Sequence, residues 1–173
     1  MWRVALPLLT AATLVLAPAV AAGEGHVAPA RLTGQYVVAY HALTGAKPLG
    51  VRVWGVVPIC RHGACAVDIT SRAKGQKTSG TLRFRLRGGT YVRDSLDRGF
   101  SDCVDSSGHV IAYRVYNREI SQHLRATRSS KLGRALAFSG AAVYTYRAPA
   151  ASIARGCKTS VQRYTFTGRA VTR

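Results

Sequence analysis

The chain has 173 residues, of which 25 are Lys or Arg and 7 are Asp or Glu, so its formal net charge is +18. Hydrophobic residues make up 47% of it, which excludes a generic disordered tail despite the high charge. The length suits one domain and is sufficient for a sizeable core.

The N-terminus has the pattern of a secretory signal peptide. Arg3 supplies a positive start, residues 4–16 are apolar, and Pro18 precedes a run of small residues that ends at Ala21. A signal peptidase needs small side chains of this kind before its cleavage site. We therefore expect cleavage after Ala21 or Ala22.

This cleavage divides the chain into a signal peptide at 1–22 and a single all-β domain at 23–173. The exported part keeps a net charge of +17, because Arg3 is the one charged residue that is removed. An uncleaved anchor is the alternative, but two prolines interrupt the apolar segment and no positive stop-transfer cluster follows it. No later apolar run is long enough to span a membrane, so we expect an extracellular protein without a transmembrane segment.

The exported part shows one strand pattern after another. Successive side chains of a strand point to opposite faces, so alternation of apolar and polar residues indicates a strand. Such segments, separated by Gly and Pro, predict strands over 36–41, 51–57, 66–70, 81–87, 90–93, 110–116, 134–147 (one or two strands) and 160–171. Residues 94–108 are predicted mostly as loop, and 121–136 is the one stretch with helix-forming composition.

The clearest hairpin begins at residue 81. Its first strand alternates between an apolar face and an arginine face, which are Leu82, Phe84 and Leu86 against Arg83, Arg85 and Arg87. Gly88 and Gly89 form a two-residue turn that tolerates positive φ. This turn would place Arg83 opposite Asp94 as a charge pair.

About eight strands with short turns predict an all-β fold. We expect a small antiparallel barrel of about eight strands, up-and-down and lipocalin-like, with a β-sandwich as the alternative. A barrel leaves no exposed edge strand. The immunoglobulin type of sandwich has a Trp between two bridged cysteines, whereas Trp54 precedes all four cysteines here.

The cysteines Cys60, Cys65, Cys103 and Cys157 are even in number, which in an exported chain indicates disulfides. Three pairings are possible. The short spacing of Cys60 and Cys65 around Gly63 favours a local bridge, which would leave Cys103 and Cys157 to close a long loop. Zinc is the competing interpretation of the Cys60 pair, but the chain has no second pair of ligands at zinc-site spacing, and we expect no metal.

Four short motifs resemble those of uncharacterised exported proteins from high-GC actinobacteria. They are Gly34-Gln35-Tyr36-Val37-Val38, the Trp54 strand, the turn from Pro58-Ile59-Cys60 to Cys65, and Gly88-Gly89-Thr90-Tyr91. The resemblance covers 32–171 and departs most from the pattern over 121–131. It implies export, disulfides and a β-rich fold, and it implies no activity.

Arginine dominates the charge, with 20 Arg against 5 Lys. The row Arg83, Arg85 and Arg87 would form a stripe about 13 Å long at the usual strand rise, and Arg114 and Arg118 could extend it. Arg donates two parallel hydrogen bonds to phosphate or sulfate, so this set is a candidate polyanion-binding site. The alternative is a general basic surface in a protein from a high-GC genome. Because the protein is exported, we expect an anionic surface or polyanion as partner and no nucleic acid in vivo.

The acidic residues cluster near the middle of the chain, at Asp94, Asp97, Asp102 and Asp105, with His109 close by. Three interpretations are a calcium loop, a general acid–base pair of Asp102 or Asp105 with His109, and local salt bridges to Arg93 and Arg98. The spacing is not that of an EF-hand, and we favour the salt bridges.

No nucleophile, zinc-hydrolase or phosphate-loop motif occurs in the chain, so an enzyme is the least favoured class and no cofactor is expected. The main hypothesis is a secreted, non-enzymatic and monomeric β-module that binds a ligand or surface. The alternatives are a basic protein that binds polyanions of the cell envelope and, last, a hydrolase-type enzyme. The eight tyrosines are expected in the core, or around a barrel pocket for a small apolar ligand.

Overall fold

The computed structural model describes residues 29–43, 46–73 and 80–171, and the predicted signal peptide lies outside them. These residues form a closed antiparallel barrel of eight strands, a two-stranded hairpin and one short helix. The elements are β1 (Gly34–Ala42), β2 (Val51–Pro58), β3 (Val67–Ala73), β4 (Thr81–Arg87), β5 (Thr90–Asp97), β6 (Cys103–Val104), β7 (Val110–Ala112), β8 (Asn117–Ser129), β9 (Ala135–Arg147), α1 (Ala150–Ile153) and β10 (Ser160–Ala170).

The barrel is an up-and-down meander. Its strands follow chain order around the wall, and β10 returns to pair with β1 and close it. The hairpin of β6 and β7 stands outside this order, so β5 pairs directly with β8. The predicted all-β barrel is confirmed, and the sandwich alternative is wrong because the ladder closes on itself.

Two predictions of secondary structure need correction. The stretch 121–136, predicted from its composition as the best helix candidate, belongs mostly to β8. Alternation decides its structure: Ile120, Gln122 and Leu124 are buried, while the residues between them are exposed. The packing of one strand face into the barrel thus overrides intrinsic propensity. The strand predicted over 110–116 shortens to β7, because Arg114 has φ +44°, which lies outside the extended region.

Aromatic rings fill the middle of the barrel. Trp54 stacks on Phe138 with ring centroids 5.4 Å apart, and it also packs against Phe166 (5.5 Å) and Phe84 (6.2 Å). Tyr36 packs on the other side of Phe138, at 5.2 Å. All five side chains are fully buried. The centre is therefore solid, and open space can exist only towards the ends.

One end of the barrel is covered by the segment before β1. The backbone of Arg31 pairs with Gly133 and Ala135 next to β9, and its guanidinium donates to two carbonyls after β2. Leu32 is fully buried, and the Tyr91 hydroxyl donates to the Ala30 carbonyl at 3.1 Å. Because these contacts reach β5, β9 and the β2–β3 turn, the segment spans this end, and we call it the closed end.

Both predicted disulfides are present. Cys60 and Cys65 are joined in the β2–β3 turn at the closed end. Cys103 of β6 is joined to Cys157, which follows α1, at the opposite or open end. Around this second bridge lies a small apolar cluster separate from the barrel core, which contains Ala148, Ile111, Ala112, Val115 and Tyr116.

Candidate functional site: the cavity at the open end

A cavity of about 200 Å³ lies at the open end, where β1, β3, β5 and β9 end and β2, β4, β8 and β10 begin. Its lining is mostly polar or aromatic. The lining residues are Tyr40, Tyr144, Tyr146, Tyr164, Arg52, Arg93, Arg118, Gln122, Gln162, Ser71, Leu49, Leu82 and Ile120.

Strand alternation explains why three arginines point into a barrel. Arg52 is two residues from the buried Trp54, Arg93 is two residues from Tyr91, and Arg118 is two residues from Ile120. Residues two apart on a strand share a face, so each arginine continues an interior row towards the open end. The interior face is therefore purely apolar and aromatic at the centre and gains arginines towards the open end.

Arg118 has its charge balanced within the structure. Its Nε donates to Asp97 Oδ2 at 3.0 Å, and its Nη2 contacts the same oxygen. The guanidinium also lies over the Phe100 ring, 3.5 Å from its centroid. A carboxylate and an aromatic face are both favourable partners for a guanidinium. Arg118 therefore connects the elements of the rim and adds little net charge to the cavity, because Asp97 neutralises it.

Arg93 is held by neutral partners. Its Nη1 donates to Gln122 Oε1 at 2.9 Å, and Gln122 Nε2 in turn donates to the Tyr144 hydroxyl at 3.0 Å. Gln122 is only 2% exposed, so this chain of hydrogen bonds is fixed inside the wall. Burial lowers the pKa of Arg93, with the nearby Tyr144 and Asp97 opposing that shift. A guanidinium has five N–H donors, so Arg93 keeps donors for a further partner.

Arg52 forms no side-chain hydrogen bond or ion pair in the part of the chain that the structure describes. It lies close enough to Tyr40 to act on that phenol electrostatically. Burial raises the pKa of Tyr40, the neighbouring Tyr144 adds to the rise, and the charges of Arg52 and Arg93 oppose it. Tyr40 thus stays a neutral phenol beside two cations.

Tyrosine rings form the wall between these charges. Tyr164 packs edge-on against Tyr40, with centroids 6.3 Å apart, and against Tyr144 at 5.5 Å. The Tyr164 hydroxyl donates to the Lys47 carbonyl at 2.9 Å. Edge-to-face packing fixes the rings and leaves apolar faces available. The cavity therefore combines a rigid aromatic wall with two cations, Arg52 and Arg93, that form no salt bridge within the described part of the chain.

The sequence-predicted arginines separate in the structure. Arg83, Arg85 and Arg87 are exposed on the outside of β4. Arg83 forms a two-pronged salt bridge with Asp68 of β3 (2.8 and 2.9 Å), which lowers the pKa of the Asp68 carboxyl. The predicted pairing of Arg83 with Asp94 is wrong, because the β4–β5 ladder ends at Arg85 and Val92.

The predicted extension of the arginine stripe does not form. Arg118 is on the inner face of β8, and β5 separates β8 from β4. Arg114 lies in the loop after β7, where its Nε donates to the Gly99 carbonyl and its backbone N–H donates to Asp102. The five arginines therefore belong to three places: the outer face of β4, the cavity rim and a loop.

The acidic cluster serves the loops of the open end. Asp105 accepts hydrogen bonds from the backbone of Ser107 and His109 and from the Ser107 hydroxyl, which closes the β6–β7 turn. His109 Nδ1 is 3.6 Å from Asp105, but its side chain is 84% exposed, so no concave site encloses the pair. The favoured salt bridges form with a different partner, since Asp97 binds Arg118 and not Arg93 or Arg98.

Sequence reasoning missed the residues that make the cavity, namely Arg52, Arg93 and Gln122. The signal was present in the spacing, because each is two residues from a strongly apolar position of a predicted or actual strand. Arginine on the apolar face of a strand is unusual, since a buried charge needs a partner. That mismatch could have indicated a site.

The chain matches no protein-family model, no curated protein and no solved structure. In ranges 29–43, 46–73 and 80–171, no group of three or more His, Cys, Asp or Glu is placed to hold a metal ion. Within the same ranges, no helix has the length and hydropathy needed to cross a membrane.

Proposed function

We propose that the protein is an exported, non-enzymatic binding protein that holds a small anionic ligand in the cavity at the open end. The observation that carries this proposal is the pair Arg52 and Arg93, which face the cavity and form no salt bridge with a carboxylate among the described residues. A guanidinium gains most from a carboxylate or phosphate where water is partly excluded. The tyrosine wall suits a ligand with a flat apolar part beside its charge.

Binding is favoured over catalysis by the composition of the lining. No histidine, cysteine, lysine or carboxylate is among the described residues that line the cavity, and the nearby carboxylate of Asp97 is bound to Arg118. A serine or tyrosine hydroxyl, such as those that line the cavity, becomes an effective nucleophile when a base of this kind lies within hydrogen-bond reach of it. The signal pattern of residues 1–22 and the two disulfides support an extracellular location for this site.

Calorimetric titration of the purified exported protein tests the proposal. We expect binding of benzoate or inorganic phosphate and none of benzamide, which has nearly the shape of benzoate without its charge. Arg52→Gln and Arg93→Gln should each weaken binding about tenfold or more, because a hydrogen bond to a charged group is worth roughly 1.5–3 kcal/mol.

Arg163→Gln is the matched control, because it removes the same charge from the exposed face of β10, on the opposite side of the barrel from β4. The affinity of this variant for either probe should match that of the unchanged protein, apart from a small general effect of charge. The proposal fails if neither anion binds, or if the Arg52 and Arg93 variants bind as tightly as the control.

A second candidate, a surface that binds envelope polyanions, is supported by the exposed Arg85 and Arg87 on β4. A specific site of this kind should show a linear fall of log affinity with log salt, with a slope that Arg85→Gln reduces by about one. Elution from heparin at the low salt typical of any basic protein, with no effect of Arg85→Gln, would leave only a generally basic surface.

A further inference from the structure

The barrel wall is open between β4 and β5 beside the cavity. Their ladder contains three residue pairs, from Arg87 and Thr90 at the turn to Arg85 and Val92. Beyond these pairs, the first half of β4 is paired with β3 alone, and the second half of β5 is paired with β8 alone. The two strands therefore diverge towards the open end and leave a gap, although both belong to the same closed sheet.

A groove of about 340 Å³ lies over this gap on the outside of the barrel. Leu82 and Arg93 line both the groove and the inner cavity. These two side chains thus separate the cavity inside the barrel from the groove on its outer surface. A change of rotamer at either of them, which requires no backbone movement, would alter the connection between the two spaces.

Arginines continue from the cavity through the gap. Arg93 lies at the gap itself, and Arg83, Arg85 and Arg87 line the groove outside. Asp68 neutralises Arg83, and among the described lining residues of the groove the acidic one is Asp94. The groove therefore keeps an excess of positive charge that continues the charge of the cavity.

We infer that this gap is a side entrance through which a linear chain of phosphate groups binds, with its terminal phosphate at Arg93 and the following phosphates along Arg85 and Arg87. The inference rests on the proposed function and names its ligand more closely. A compact anion would occupy the cavity alone, whereas Arg83 to Arg87 extend over about 13 Å of strand. Arginine binds phosphate through two parallel hydrogen bonds and is suited to each position of such a row.

Titration with tripolyphosphate and with orthophosphate, at one constant ionic strength, tests the inference. Tripolyphosphate should bind at least about tenfold more tightly than orthophosphate, because it reaches both the inner and the outer arginines. Arg85→Gln should remove most of that gain and leave orthophosphate binding unchanged. Arg93→Gln should weaken both ligands, and Arg163→Gln should affect neither beyond a small general effect of charge.

The two proposals fail in different ways. If orthophosphate binds in an Arg93-dependent manner but tripolyphosphate gains nothing, the side entrance is wrong and the cavity proposal stands. If tripolyphosphate binding depends on Arg85 but not on Arg93, the chain lies only on the outer surface and the inference is overturned. A parallel titration with poly(glycerol phosphate) distinguishes phosphates linked through a polyol from the anhydride-linked phosphates of tripolyphosphate. If both ligands use the entrance, Arg85→Gln and Arg93→Gln should weaken the binding of both.

Discussion

Two glycines make room for the rings that fill the barrel. Across the β9–β10 ladder, Gly140 lies opposite Phe166, and Gly168 lies opposite Phe138. A Cβ atom added to Gly168 would be 2.1 Å from Phe138 Cζ, and one added to Gly140 would be 2.5 Å from Phe166 Cζ. Each ring therefore lies over the glycine of the facing strand, and the two pairs place both phenylalanines against Trp54.

Gly168→Ala should lower the free energy of unfolding by about 1–3 kcal/mol, because an extra methyl in a packed core forces the Phe138 ring off its position. Urea unfolding measures this change. Gly80→Ala is the control, because a Cβ atom at this position would have no neighbour within 4 Å. The stability of this variant should be almost that of the unchanged protein. Equal stability of the two variants would show that the core can relax around the added methyl.

The loops of the open end depend on a covalent link to stay together. Cys103 and Cys157 are 54 residues apart in sequence, whereas Cys60 and Cys65 are 5 apart. The long bridge connects the β6–β7 hairpin to the segment between α1 and β10, and the cluster around it is small. Because few other apolar contacts join the hairpin to this segment, the disulfide is the main link that keeps the two together.

Replacing Cys103 and Cys157 by serine should cost about 4 kcal/mol of stability, and replacing Cys60 and Cys65 should cost about 2 kcal/mol, because the loop entropy released on breaking a bridge grows with the length of the loop. Thermal melting of the two double variants, with and without reductant, measures the difference. Equal melting of the unchanged protein under both conditions would mean that neither bridge stabilises the fold.

At the scale of the whole molecule, buried phenols couple stability to pH. Burial is the main cause that raises the pKa of five tyrosines, which are Tyr36, Tyr40, Tyr91, Tyr144 and Tyr164. Each phenol thus holds its proton more tightly in the folded chain than in the unfolded chain. The contribution of these phenols to stability is fully present at a pH below their pKa in the unfolded chain. It is lost as the pH rises towards their higher pKa values in the folded chain.

Stability should therefore fall as the pH rises above about 10, where the phenols of the unfolded chain ionise. Urea midpoints measured from about pH 8 to about pH 11 show the fall, and absorbance at the phenolate band reports the ionisation itself. Tyr40→Phe should make the decline shallower, since it removes the phenol with the largest rise. An unchanged midpoint across this range would contradict the assignment of these phenols to the interior.

The sequence by itself determined the apolar inward-facing side chains of the strands that it predicted, such as Leu82, Phe84 and Leu86 of β4, because alternation with period two leaves one apolar set to bury. It also determined the all-β class and the tight turn at Gly88 and Gly89, and it favoured the bridge between the nearby Cys60 and Cys65 among three possible pairings. These features are local, and the residues that specify them are close together along the chain.

Tertiary structure alone decided where strands pair and where they part. The ladder between β4 and β5 stops after three pairs, although β3 and β8 go on pairing with the other edge of each strand, and no local signal in the hairpin reports where the two strands part. The same long-range pairing makes a strand of β8 despite its helical composition, and it brings Arg52 of β2 and Arg93 of β5 to one cavity. A binding site assembled from the ends of strands depends on contacts between distant residues, which the order of residues in one sequence does not reveal.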